Sequence, residues 1–539
     1  MRKTLTALLG ATLLATPALA APPRLVITIS VDQFSSDLFD EYRSSFTGGF
    51  ARLASGAVFH NGYQGHAATE TCPGHSTILT GDRPARTGII ANNWFDLTQA
   101  RSDKGVYCAE DERVAGSSTS HYTVSPLHLR VPTLGERLKK VSPASRSVAV
   151  AGKDRAAVMM SGQRPDQRWY WDGKSYTTDL AGVRAPGVVA ATNAAVAKLL
   201  AAPAQPLEAP PLCAAKARLV AVEGGGKPVG AGAFARAAGD ARSFRASPQF
   251  DGATLALAAG LIQEMKLGKG NATDLIAIGA SATDYVGHTY GTEGQEMCLQ
   301  LLSLDRDLGD FFVALDKQGL DYAVVLTADH GGNDIPEREQ TAGIHDAARV
   351  DPALFPGQAG KAVAAKLGLK GPVLIGEAPF GDIYLDRALA PADRKRALVA
   401  AVALYQAHPQ VEAVFTHDQL KRAPLPTGSP DAWSLIDRAR ASFDNQRSGD
   451  LVVLLGRRVT PIADTSKSYV ATHGSAWDYD RRVPILFWRP GMPAAAIEAA
   501  IETIAIAPTL AAWIGVPIQR GAIDGSCLLS VPGVTCPAR

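Results

Sequence analysis

The sequence predicts an α/β protein with a doubly wound, mostly parallel central sheet, flanked by helices and carrying capping insertions. Short, β-branched apolar runs recur along the chain without polar alternation, as strands buried on both faces require. Helical patterns separate them, and the residues with the clearest chemical character follow the runs directly.

In chain order, residues 1–20 come first: Arg2 and Lys3, an apolar run broken by small residues, then Ala18-Leu19-Ala20. This pattern predicts a secretory signal peptide cleaved near Ala20 and a periplasmic or secreted product. No later segment offers about 18 uninterrupted apolar residues, so no stable membrane association is expected. The strands follow as Leu25 to Val31, Ser147 to Ala151, Asp274 to Ala280, Tyr322 to Ala328, Leu451 to Leu455 and Val483 to Trp488. All six are expected in one parallel sheet. Glu296 to Leu315 predicts a helix with Leu299, Leu302, Leu308, Phe311, Phe312 and Leu315 on one face and Asp305, Arg306 and Asp307 largely off it.

Two stretches interrupt this alternation. Residues 162–266 turn rich in Ala, Pro and Gly after the aromatic cluster Trp169, Tyr170 and Trp171, for which buried packing in the insertion is expected rather than a substrate entrance. Residues 344–470 form a weaker interruption with their own strand candidate, Asp382 to Leu385. Both are read as insertions capping one end of the sheet. Core parts are thus expected at 21–161, 267–343 and 471–539.

The 539 residues carry 54 Lys and Arg against 52 Asp and Glu, 46% hydrophobic and 20% charged, which excludes disorder, collagen and coiled coil. Losing Arg2 and Lys3 leaves 52 of each sign, so no global field recruits nucleic acid or membrane. Six cysteines in an exported chain, with no C-x-x-C pair, point to disulfides rather than a zinc knuckle. Fifteen pairings exist. Order along the chain favours Cys72–Cys108, Cys213–Cys298 and Cys527–Cys536.

Candidate ligands sit where open α/β sheets build their sites, at the carboxyl ends of strands. Asp32 follows LVITISV; Asp284 and His288 follow LIAIGA in D-Y-V-G-H; Asp329 and His330 follow YAVVLTA in A-D-H-G-G. A lone Asp after a strand is usually a cap or turn former. Five such groups at the carboxyl ends of three expected parallel strands are better explained by metal, the two glycines after His330 letting the backbone turn while both side chains face one centre. Carboxylate with imidazole suits zinc, and the set exceeds the three protein ligands of one catalytic zinc, which suggests two ions. His473 in A-T-H-G-S is the sixth candidate. Thr71, opening T-C-P-G-H, puts a hydroxyl at a helix start, where it is either an N-cap or, beside a metal, a nucleophile.

Taken together, Asp32, T-C-P-G-H at 71–75, G-I-I-A-N-N-W at 88–94, G-K-D-R at 152–155, D-Y-V-G-H, A-D-H-G-G and T-H-G resemble the alkaline phosphatase superfamily. Within it the chain is most similar to the periplasmic PafA/PhoK-like alkaline phosphatases, related to type I phosphodiesterases and nucleotide pyrophosphatases. The resemblance covers nearly the whole mature length. It implies an alkaline phosphatase-like core and one zinc held by Asp284, His288 and His473. The other zinc would be held by Asp32, Asp329, His330 and the oxygen of Thr71. It further implies that Thr71 is transiently phosphorylated, that Asn92, Lys153 and Arg155 hold the nonbridging phosphate oxygens, and that the three cysteine pairings hold.

Lys153 and Arg155, read as an extended segment, bring two cations to a dianionic monoester; a diester would leave them under-used. The expected activity is therefore hydrolysis of small phosphate monoesters over a broad range, by a monomer holding two zinc ions. Phosphodiester or nucleotide pyrophosphate cleavage at the same site is the alternative, and calcium in acidic loops is a further candidate cofactor. A sulfatase needs C-x-P-x-R, and here Pro73 directly follows Cys72 with no matching Arg. Phosphomutases of the superfamily are mostly cytosolic, against the signal peptide, and a secreted binding protein with structural metals would keep its metal yet show no turnover.

Overall fold

The computed structural model describes residues 21–467 and 469–537. The expected signal peptide lies outside these residues.

Five parallel strands form the heart of the molecule, in the order Tyr322–Thr327, Leu25–Val31, Asp274–Ala280, Ser147–Ala151, Gln167–Trp171. Alternation along Leu25–Val31 explains how the sheet is covered. Leu25, Ile27, Ile29 and Val31 pack with Phe250, Leu308 and Phe312 on one face, while Val26 packs with Leu134, Leu138 and Leu510 on the other. Helices on both faces hide the strands from water, so the uninterrupted apolar runs are the runs a parallel sheet needs.

Four of the six expected strands stand at the centre and run parallel; the other two differ, one in direction and one in place. Arg482–Trp488, expected parallel, runs antiparallel to Tyr322–Thr327 and pairs on its other side with Ala57–Tyr63. Leu451–Leu455 is not in this sheet. It lies in a separate four-stranded antiparallel sheet, ordered Leu374–Ile375, Gly381–Leu385, Leu451–Leu455, Val411–Thr416. A strand buried on both faces reads alike whatever its direction or sheet, which is why the pattern does not separate these cases.

The small sheet has its own core, with Ile383, Leu451, Val453 and Leu455 packed against Val363, Ala397, Ala401 and Tyr405 from the helices Pro356–Leu367 and Pro391–Gln406. Within residues 162–266, by contrast, Gln167–Trp171 is a strand of the central sheet, and the helix Pro248–Glu264 contributes Phe250, Leu257 and Leu261 to its core. The connection between these two elements is where irregular chain concentrates.

The long helix spans Gln295–Lys317, with Leu299, Leu308, Phe311, Phe312 and Leu315 buried. Asp305, expected off the apolar face, is 3% exposed. It accepts hydrogen bonds from the backbone of Thr47 (2.8 Å), Gly48 (2.7 Å) and Phe50 (2.8 Å), and so caps the neighbouring helix Gly49–Ala54. Three disulfides, Cys72–Cys108, Cys213–Cys298 and Cys527–Cys536, match the pairing favoured by chain order. Among the described residues, no helix is long and apolar enough to cross a membrane.

Candidate functional site

The carboxyl edge of the central sheet gathers the predicted residues into one buried cluster. Asp32 leaves Leu25–Val31 and Asp329 leaves Tyr322–Thr327. Asp284 and His288 lie one turn apart on the helix Ala282–Tyr290, on the same face by i, i+4 spacing. His473 comes from a loop late in the chain. His330 Nε2 lies 3.5 Å from Asp32 Oδ1 and 3.4 Å from Asp329 Oδ2. Asp284 Oδ1 lies 3.2 Å from His288 Nε2 and 3.4 Å from His473 Nε2. The rings of His330 and His473 stack with centroids 3.6 Å apart, joining the two halves.

Thr71 opens the helix Thr71–Thr80 and is wholly buried. Gly74 allows this placement: a Cβ there would stand 2.0 Å from the carbonyl oxygen of Asp329, so only glycine lets the helix reach the strand end. Gly331 serves the same purpose against Tyr479, whose carbonyl oxygen would stand 2.1 Å from a Cβ at that position. Neither Gly331 nor Gly332 has positive φ, so the pair after His330 provides close approach rather than the tight turn expected.

The Thr71 hydroxyl faces Lys153 Nζ and Arg155 Nη2, each at 3.4 Å. These two cations do not share an extended segment as expected. Lys153 is the extended N-cap, and Arg155 already belongs to the helix Asp154–Ser161. Asp154 anchors that turn, accepting from the hydroxyls of Tyr107 and Tyr122, both at 2.8 Å. Asn92 accepts from the Cys72 amide (2.8 Å) through Oδ1, and its own backbone donates to Glu70 (2.7 Å). Burial raises the Glu70 carboxyl to about 7.

The donor set fits divalent cations. Asp32 Oδ1, Asp284 Oδ1 and His330 Nε2 are buried without a hydrogen-bond partner. Each imidazole points Nδ1 at a carbonyl: His288 at Ala471 (2.9 Å), His330 at Gly331 (2.8 Å) and His473 at Thr69 (2.7 Å). That fixes the proton on Nδ1 and turns the Nε2 lone pair inward, the arrangement of metal-binding histidines. Burial pushes His330 down to about 3 and lowers His473, so both rings are neutral and able to coordinate at ordinary pH. Three carboxylates share the pocket with Lys153, which pairs with Asp32 at 2.7 Å and Asp284 at 2.5 Å. Burial and the charge of Asp329 still push Asp32 well above the usual carboxylate range. The cluster is short of positive charge, and a dication supplies it.

Sequence reasoning does not single out His75. Its Nδ1 lies 3.0 Å from Asp329 Oδ2 and 2.9 Å from the Thr71 carbonyl, and its side chain is fully buried. Its i, i+4 relation to Thr71 is the signal that could find it. Two groups of ligand atoms close together are Asp284 with His330 and His473, and Asp32 with His75 and Asp329. Beside the cluster opens a cleft of about 530 Å³, bordered by Asn92, Arg155, His288 and His473 and walled opposite by Phe380 and Tyr384 of the small-sheet unit.

A family model described as type I phosphodiesterase / nucleotide pyrophosphatase matches residues 26–476. The chain belongs to this family. Relatives of this chain include alkaline phosphatase PhoK of Sphingomonas sp, 54% identical, with 95% of this chain and 92% of the relative covered. Alkaline phosphatase PhoD of Zymomonas mobilis is 48% identical, covering 96% of this chain and 90% of its own. Among solved structures, wild-type alkaline phosphatase PafA superposes with a TM-score of 0.80 at 25% identity, covering 94% of this chain and 98% of that one.

Proposed function

We propose that this family member is an exported, zinc-dependent alkaline phosphatase that hydrolyses phosphate monoesters through a phosphothreonine at Thr71. One observation carries the reading: a buried threonine hydroxyl lies 3.4 Å from two cations, one of which, Lys153, is paired with Asp32 and Asp284 of the carboxylate and imidazole cluster. The names of the relatives PhoK, PhoD and PafA support the same activity.

In this reading Asp32, Asp329, His330 and Thr71 Oγ hold one zinc, and Asp284, His288 and His473 hold the other. When bound, the two ions supply positive charge at the attacking and leaving oxygens of an in-line displacement. His75 keeps Asp329 oriented. Thr71, fixed at its helix start, presents Oγ to phosphorus, and the bond from phosphorus to the leaving alcohol breaks as the new one forms. Arg155, Lys153 and the Asn92 amide, whose Oδ1 accepts from the Cys72 N–H and so leaves Nδ2 as the donor for a ligand, bind the nonbridging oxygens. Water then displaces Thr71 and phosphate leaves. Two cations aimed at one phosphoryl group favour the dianion of a monoester over the monoanion of a diester.

The test is Thr71→Ala. Turnover of 4-nitrophenyl phosphate should fall by about 10³-fold or more, while the zinc content measured by elemental analysis stays near that of the parent. An unchanged rate removes Thr71 from the role of nucleophile. The family's name favours a diesterase as the second reading. Rates on a monoester and a diester with the same leaving group separate the two, and a faster diester overturns the monoesterase assignment.

A further inference from the structure

Thr71, Asn92 and Arg155 come from separate parts of the chain, yet one short segment, Tyr107-Cys108, is joined to all of them. The joint to Thr71 is covalent: Cys108 is bonded to Cys72, the residue after Thr71 at the start of the helix Thr71–Thr80. The joint to Asn92 is through the backbone. The Cys108 amide donates to the Asn92 carbonyl at 2.9 Å and Tyr107 pairs with Asn93 in a short antiparallel ladder, while Asn92 Oδ1 accepts from the Cys72 amide at 2.8 Å and closes the loop. The joint to Arg155 runs through Asp154, whose Oδ1 accepts from both the Tyr107 hydroxyl and the Arg155 amide, each at 2.8 Å. We infer that Tyr107 is a positioning residue for the phosphoryl site: its hydroxyl, tied to the nucleophile helix by Cys72–Cys108, sets where Arg155 stands relative to Thr71 Oγ. The inference rests on the proposed function only for the roles given to Thr71, Asn92 and Arg155.

Positioning needs a rigid support, and Tyr107 has one. It is 6% exposed, and Cys72 and Cys108 are wholly buried. All three pack in one apolar cluster with Ile90 and Trp94, from either side of Asn92, and with Val158 and Met159 of the helix Asp154–Ser161. Behind Tyr107, its amide donates to Glu110 Oε1 at 2.8 Å, and Glu110 pairs with Arg101 at 2.6 Å. The Tyr122 ring lies 4.5 Å from the Tyr107 ring, and its hydroxyl donates to Oδ2 of Asp154 at 2.8 Å. With both oxygens engaged, the Asp154 carboxylate cannot turn.

Arg155 lacks such a hold on its own side chain. Among the described residues no carboxylate lies within ion-pair distance of its guanidinium, which faces the Thr71 hydroxyl at 3.4 Å. Its place therefore depends on the turn from which it springs, and that turn depends on Asp154. A reacting geometry displaced by about 1 Å can cost on the order of 10²-fold in rate, so a hydroxyl well away from phosphorus can still govern turnover.

The test is Tyr107→Phe, which keeps the ring and removes only the hydroxyl, in the zinc-loaded enzyme. It should lower kcat/KM for 4-nitrophenyl phosphate about tenfold and weaken the binding of inorganic phosphate, followed by calorimetry, by a similar factor, with zinc content near that of the parent. A double-mutant cycle separates positioning from general loosening. In an Arg155→Ala background Tyr107→Phe should change either quantity by less than about twofold, because the group it places is gone, whereas in an Asn92→Ala background the full loss should persist. A loss that survives Arg155→Ala, or no loss in the parent, overturns the inference. Cutting the tether, by Cys72→Ala together with Cys108→Ala, should lower kcat/KM of the folded fraction about tenfold; an unchanged value overturns the part given to the disulfide. The cycle on Tyr107 leaves the disulfide intact and decides the inference whether or not that pair folds. Phosphate binding also keeps the two readings apart. A chain that turns over no monoester, yet loses phosphate affinity with Tyr107→Phe only while Arg155 is present, refutes the phosphatase reading and leaves this link standing.

Discussion

The central sheet and the four-stranded sheet spanning residues 374–455 are both filled with apolar side chains, yet only the first brings acidic and imidazole side chains together in a buried cluster at one edge. Tyr322–Thr327 and Leu451–Leu455 are nearly interchangeable as strand sequences, YAVVLT and LVVLL. After the first come Asp329 and His330, buried in the ligand cluster; after the second come Gly456, Arg457 and Arg458, of which Arg458 pairs with Glu339. The parallel arrangement explains the contrast. Strands that point the same way deliver the residues after them to one edge, so Asp32, Asp284 and Asp329 meet, whereas antiparallel neighbours send theirs to opposite edges. The small sheet contributes a wall to the cleft and no ligand. Damage to the two regions should therefore separate, chemistry failing in one and stability in the other.

Chelation should break the first region most completely. Prolonged dialysis against EDTA should take turnover to background, with recovery on adding zinc, and circular dichroism should show the small sheet unchanged. Loss of activity that zinc does not restore would argue against the ligand set. Next in size, Arg155→Ala should lower kcat/KM for a monoester by about 10²-fold or more, and for a diester by less, which sharpens the role of the paired cations.

The second region should respond in the other direction. Leu451→Ala empties a site at the centre of the small core and should cost about 2–5 kcal/mol, read as a lower midpoint in urea. Turnover of the folded fraction should stay close to that of the parent. A large loss of kcat at a temperature where the variant is folded would show that the two sheets are coupled.

A last effect, visible only as a pH dependence, lies beneath the helix that carries Asp284 and His288. Asp251, wholly buried, accepts from the Ala282 amide and from Gln300, both at 2.9 Å, and burial pushes its carboxyl up to about 7. The folded chain then holds a proton that the unfolded chain has released, so stability falls as pH rises from about 4 to about 7 and is level above. Asp251→Asn removes that fall, with Gln300 turning its unpaired Oε1 to the new amide. The variant should gain on the order of 4 kcal/mol over the parent at pH 8 relative to pH 4, measured by urea unfolding. A pH-independent difference would place the proton elsewhere.

The candidate ligands Asp32, Asp284, Asp329 and His330 are legible in the sequence because they follow strong apolar runs, and spacing alone puts Asp284 and His288 on one helical face. The sequence is less informative where pattern is shared. LVVLL carries no mark of its sheet, RVPILFW none of its direction, and QRWYW reads as the start of an insertion because aromatic residues suit a strand and a loop packing alike. Asp305 shows the opposite failure: its charge reads as solvent-facing, but three backbone amides 255–258 residues away in the chain bury and satisfy it. His75 is hidden by its company, standing inside a motif whose threonine draws attention first.

The central claim is that Thr71 accepts the phosphoryl group. Acid quenching of the zinc-loaded enzyme during turnover of 4-nitrophenyl phosphate, followed by peptide mass spectrometry, tests it most directly. The account predicts covalent phosphate on Thr71. Phosphate on another side chain, or none at a time when a burst of nitrophenol has already been released, would contradict it.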